Sequence, residues 1–211
     1  MGNFLETYYR DRRIEVNSLV LNNLKEVLAT LVPSPRGNAV LLLGFEGRIM
    51  ELLTDWINSC YSTSRLFVWA GPFHSVYDDW IRGYRRSDPA RIVRVREMYG
   101  ILDNIVNRVR NEGYYRINLA VSLFTDVAFN ERVCETIFRS IMRDSGTLLL
   151  PLGPKELRYW QHYTRSDRVL DLEAGLDLRS IWPLQTSIEY QAQQIAQYGE
   201  SGNVEVVEGL N

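Results

Sequence analysis

Lysine is nearly missing from this chain. Lys25 and Lys155 are the only two, so of the 24 basic residues the remaining 22 are arginines. No GxxxxGK[ST] motif occurs, which excludes a P-loop that needs its lysine on the phosphates. Arginine forks favour phosphates, carboxylates and aromatic faces, but a high coding GC content accounts for the same bias. Cysteine is as scarce: Cys60 and Cys134 each lie among apolar residues, leaving no disulfide framework and no CxxC zinc knuckle. A reducing compartment, the cytoplasm, is the expected location. The two histidines, His74 and His162, show no HExxH or other ligand spacing, so no metal site is expected.

Long apolar runs are absent too. Nowhere do 18 uncharged apolar residues follow one another, and the opening MGNFLETYYRDRR is charged without an apolar signal core, so neither secretion nor a membrane partner is expected. Gly2 follows Met1, but Glu6 replaces the hydroxyl residue of a myristoylation signal. Charge of one sign is lacking as well: 24 basic against 26 acidic residues leave a net charge of -2. Any polyanion must then be held by a local patch. There is no internal repeat and no low-complexity tract.

What is present suffices for a real core. With 211 residues, 45% apolar and 24% charged, the chain reads as one domain with a decorated end. We expect residues 1–185 to form an α/β domain and 186–211 a C-terminal helix and tail. Val20, Leu24, Val27, Leu28 and Leu31 recur at helical spacing within residues 14–31, and Pro33 and Pro35 end that helix. Ala39–Leu43 is an unbroken apolar run, as in a strand covered on both faces. A helix bearing Ile49, Leu53, Trp56 and Ile57 comes next, then a second strand from Arg65 to Ala70, closed by Gly71-Pro72. Asp88-Pro89 suits a helix start, and Ile92, Val95, Tyr99, Leu102, Val106 and Val109 predict a long amphipathic helix to Gly113.

A third strand is expected over 115–123, a helix around Val133–Ile141, and a strand over 146–152. Leu157, Tyr159, Gln161 and Tyr163 alternate with Arg158, Trp160 and His162, predicting a hairpin. Ile181-Trp-Pro-Leu184 reads as an edge strand, residues 186–198 as a helix, and Val204–Val207 as a short strand or tail. Alternating strands and helices predict a Rossmann-like three-layer α/β sandwich, mostly parallel, with a C-terminal antiparallel hairpin. Its functional loops then fall at the carboxyl ends of the strands.

Tyr115-Arg-Ile-Asn-Leu-Ala-Val121, the later Gly146-Thr-Leu-Leu-Leu-Pro-Leu-Gly153 and Ile181-Trp-Pro-Leu184, in this order of elements, resemble class I S-adenosylmethionine-dependent methyltransferases. The nearest flavour is the protein L-isoaspartyl methyltransferase group, and the resemblance covers roughly residues 14–185. It implies that S-adenosylmethionine binds over Gly44, Glu46 and Gly47, with Trp69 or Phe73 stacking on adenine and Asp126 facing the methyl donor. The substrate would be nucleic acid or protein. Only two of the family's three spaced glycines are present, and Phe67-Val-Trp-Ala-Gly71 has no carboxylate for the ribose. Isoaspartyl repair is therefore not carried over.

A second candidate surface is arginine-rich. Arg82, Arg85, Arg86, Arg91, Arg94 and Arg96 gather near one strand-to-helix junction, with Tyr84 available to stack on a base. That is a modest nucleic-acid footprint, offset by Asp78, Asp79, Asp88 and Glu97 nearby. His74 stands where an acid or base is useful, without a partner visible in the sequence. Neither cysteine looks activated. Three functions stay open: a methyltransferase-like enzyme, a non-catalytic binding or structural protein on a degenerate Rossmann-like scaffold, or a different nucleotide-binding Rossmann-like domain with Glu46 serving a ribose.

Overall fold

The structure is a computed structural model, and it describes residues 12–99, 108–109, 111, 117–125, 146–164 and 168–174. The chain divides into two compact units, Met1–Leu176 and Asp177–Asn211; every described residue belongs to the first. Helix α1, Ser18–Thr30, starts where Asn17 turns its side-chain oxygen onto the Val20 amide at 3.1 Å, an N-cap that satisfies one of the first turn's orphan donors. It buries Val20, Leu24, Val27 and Leu28, the face its spacing announces. Asn23 is also on that face, and its amide donates to the carbonyls of Leu172 and Ala174.

Strand β1, Ala39–Leu43, is buried at all five positions, so both faces are covered. Helix α2, Gly47–Ser59, buries Ile49, Met50, Leu53, Thr54 and Ile57. Strand β2, Arg65–Trp69, then pairs with β1 in parallel register, Leu41 beside Phe67. A single 3-10 turn at Gly71–Phe73 leads into α3, His74–Ser87, a helix with few buried apolar positions, Tyr77 and Ile81, to announce it.

The long helix expected from Pro89 does not form over its first turns. Asp88 does act as a cap, its carboxylate accepting from Arg91 N–H at 3.3 Å, but the element it starts is a short 3-10 turn, Pro89–Ile92. Val95–Glu97 is strand β3, parallel to β2 with Val95 beside Leu66. The spacing of Ile92 and Val95 serves a turn and a strand as well as a helix, and pairing to an open sheet edge decides between them. The Arg94 guanidinium holds the turn down by donating to the carbonyls of Ile57, Cys60 and Tyr61.

Strand β4, Leu119–Ser122, and strand β5, Thr147–Leu150, lie inside the segments expected for them. The expected hairpin is replaced by helix α4, Pro154–Thr164, and strand β6, Val169–Asp171, which runs parallel to β5. Leu157, Trp160 and Gln161 lie at i, i+3 and i+4, one face of a helix, whereas alternation puts Trp160 on the other side from the remaining two. Trp160 is buried, and Gln161 donates to the Val169 carbonyl at 3.1 Å. Proline at the first helical position and a Leu157 N–H bond to the Gly153 carbonyl at 2.9 Å start the helix. The expected helix at 133–141 and the elements after 174 lie outside the described residues.

The six strands form one parallel sheet in the order β3-β2-β1-β4-β5-β6. This α/β arrangement is Rossmann-like: the strand order reverses between β1 and β4, and in such sheets ligands enter the crevice beyond the carboxyl ends at that point. No helix among the described residues is long and apolar enough to cross a membrane.

Candidate functional site

The crevice begins where β1 stops. Gly44 has φ +112°, a left-handed value that side chains rarely adopt, and a Cβ there would meet the Leu123 Cβ at 3.0 Å. Its amide is already used, donating to the Trp69 carbonyl at 2.8 Å, while the Leu123 amide donates to the Leu43 carbonyl at 2.9 Å. The glycine therefore serves a close approach to the chain's own next strand. Gly47, the first residue of α2, has no such neighbour: a Cβ would meet only the Trp80 ring, at 3.8 Å.

Glu46 is the N-cap of α2. One carboxylate oxygen accepts from the Ile49 amide at 2.9 Å and the other from Arg48 Nε at 2.8 Å. Arg48 in turn donates to the Val16 carbonyl. At the position suited to a ribose-binding carboxylate, this side chain closes the helix N-terminus and anchors the N-terminal segment.

The aromatic residues above the strand ends pack on each other. Phe124 is fully buried, and Phe45, Trp69 and Phe73 are nearly so. Phe73 stacks on Phe124 with centroids 6.1 Å apart and planes 15° apart, and Trp69 meets Phe124 edge-on at 6.0 Å. The Arg13 guanidinium sits 5.0 Å above the Phe73 ring. Burial lowers the Arg13 pKa, an effect that the negative charge of Glu46 opposes. The backbone here pairs as a short antiparallel bridge, Arg13 with Phe124. Ile14 N–H reaches the Leu123 carbonyl at 3.0 Å, and both the amide and the hydroxyl of Thr125 reach the Arg12 carbonyl. Residues 12–14 thus lie beside the end of β4 and its exit loop. Asp126 lies outside the described residues.

The arginine cluster divides. Arg82 pairs with Asp79 at 2.8 Å; Arg91 pairs with Asp55 at 2.8 Å and stands over the Tyr84 ring; Arg94 is spent on backbone carbonyls. Tyr84 donates to Glu51 at 2.7 Å, and its ring packs against Trp80 at 4.5 Å. Arg85 and Arg86 are exposed in the last turn of α3, where cations complement the helix dipole. Arg96 likewise donates to the Val93 and Val95 carbonyls, so four of the six arginines are tied to the chain's own groups. Cys60 is buried, and burial pushes its thiol pKa up, which suits an inert core residue.

Sequence reasoning missed a different cluster. His74 opens α3 with Nδ1 2.7 Å from a Glu97 oxygen and Nε2 3.3 Å from an Asp78 oxygen. Tyr99 donates to the other oxygen of Glu97 and meets the imidazole edge-on at 5.1 Å. That hydrogen bond, with burial behind it, pushes the Tyr99 pKa up to about 12. Tyr77, buried beside them, is raised by desolvation first and by the Glu97 charge second. The His74–Asp78 spacing of four was the available signal, but it carries meaning only once a helix is assigned there. Glu97 joins only because β3 pairs with β2.

No protein-family model matches the chain, and no curated protein matches it.

Proposed function

We propose that this chain is a non-catalytic binding or structural protein on a Rossmann-like scaffold. The observation that carries this reading is the content of the crevice: Trp69, Phe73 and Phe124 pack against one another with Arg13 across Phe73. Glu46, the best candidate for a ribose contact, is committed to Ile49 and Arg48. A cofactor there would have to displace packed aromatic surface and break a satisfied cap, and each costs free energy that a preformed site does not. Function then rests on the outer surface.

The second reading, S-adenosylmethionine-dependent methyl transfer to nucleic acid or protein, draws support from the strand order and from the positive φ of Gly44 at the reversal point. Calorimetric titration of the full chain with S-adenosylmethionine and S-adenosylhomocysteine separates the two. The binding-protein reading expects no heat with either. A saturable micromolar isotherm with one of them overturns it and favours the enzyme.

A further inference from the structure

We propose that His74, Asp78 and Glu97 form a binding site for a divalent transition-metal ion, with Zn2+ the best-suited ion. Each side chain offers one ligand atom, and these atoms lie within 4.8 Å of one another. A four-coordinate zinc ion with ligands at about 2.0–2.2 Å sets neighbouring ligand atoms about 3.3–3.6 Å apart. The separations already present are 2.7 Å from Glu97 to Nδ1 and 3.3 Å from Asp78 to Nε2; these are opposite nitrogens of one ring, so an ion takes one of them and the carboxylate on the other side must swing round to it. Binding requires side-chain rotation within this 4.8 Å cluster to bring three donors onto one ion.

The donor set fits the ion. One imidazole and two carboxylates suit zinc better than calcium or magnesium, which take oxygen ligands almost throughout. With the ring neutral, two carboxylate charges balance the dication. Two ligands share one helix at i and i+4, so their spacing is fixed by α3, while the third comes from β3 and is fixed by the sheet.

The surroundings agree. The Glu97 side chain is 13% exposed, whereas His74 and Asp78 are 45% and 37% exposed, giving the cluster a buried floor and an open rim. A metal reaches it from solvent, and a fourth position stays open to water. Tyr99 holds the second oxygen of Glu97, the outer-shell support that orients a ligating carboxylate. None of these residues belongs to the aromatic crevice, so the site stands whether or not that crevice takes a cofactor.

The test is calorimetric titration of the chelator-treated full chain with zinc chloride. One saturable equivalent is expected. It should weaken at least about tenfold in Glu97→Gln and in Asp78→Asn, and remain unchanged in Asp79→Asn, whose carboxylate is 76% exposed and pairs with Arg82. Circular dichroism confirms that each variant is folded; Asp78→Asn changes a half-exposed side chain and serves if Glu97→Gln loses its fold. Absence of saturable binding overturns the proposal. So does a site of undiminished affinity in the folded carboxylate variants, which would assign the ion to other groups.

Discussion

Two regions at the carboxyl edge of one sheet have opposite characters. Over β1 and β4, where this fold ordinarily receives ligands, aromatic rings are stacked and the polar groups satisfy one another. Over β2 and β3, a histidine and two carboxylates meet at a half-exposed rim. The difference teaches that strand order says where a ligand can be received, while side-chain content decides whether it is. Here the polar side chains with ligating chemistry gather two strand gaps along from the reversal point.

Substitution breaks this comparison most strongly in the crevice. If the crevice is packed core, Phe124→Ala should lose about 3–5 kcal/mol in denaturant unfolding. Asp78→Asn, in the other region, should lose no more than about 1 kcal/mol, as half-exposed ion pairs do. Equal small losses would mean that Phe124 lines an open cleft. The glycines sharpen the same contrast on a smaller scale. Gly44→Ala meets both a positive φ and Leu123, for an expected loss of about 1–3 kcal/mol. Gly47→Ala should stay within about 0.5 kcal/mol, as at an open surface position. A sensitive Gly47 beside a tolerant Gly44 would reverse the assignment of the turn.

The smallest effect is a pH dependence in the second region. The Tyr99 pKa is raised from 10.0 to about 12, so the folded state holds that proton more tightly than the unfolded chain. The stabilisation is complete below pH about 10 and is lost as pH climbs towards 12. Tyr77 shifts in the same direction through burial, so Tyr99→Phe should flatten part of the alkaline loss in the urea midpoint. Ultraviolet tyrosinate absorbance should lose its late-titrating component in the same variant. An unchanged alkaline profile would remove the Tyr99–Glu97 bond from the cluster.

Much of the fold was legible in residues that see only their neighbours. Ala39–Leu43 could hardly be anything but a covered strand, and the face of α1 followed from four apolar positions. The errors cluster where one spacing serves two structures. Ile92 and Val95 fitted a helix until a 3-10 turn took Ile92 and β2 offered Val95 an edge. Leu157, Tyr159 and Gln161 alternated like a strand until α4 and β6 closed on each other. The candidate site was less legible. Glu46 and Gly44 were found, but the Ile49 amide that Glu46 caps, the Val16 carbonyl that holds Arg48 and the Leu123 side chain against Gly44 are backbone or distant groups that no motif encodes.

The sequence by itself determined the class of molecule: an α/β chain, short of lysine and cysteine, without the lysine of a P-loop or a carboxylate closing its second strand. Those are properties of residue identity and order. Only the tertiary structure decided that Arg13 would lie across Phe73 and that Glu97 would reach His74. Both depend on strand pairing, which joins residues far apart in the chain through backbone hydrogen bonds that carry no side-chain signature.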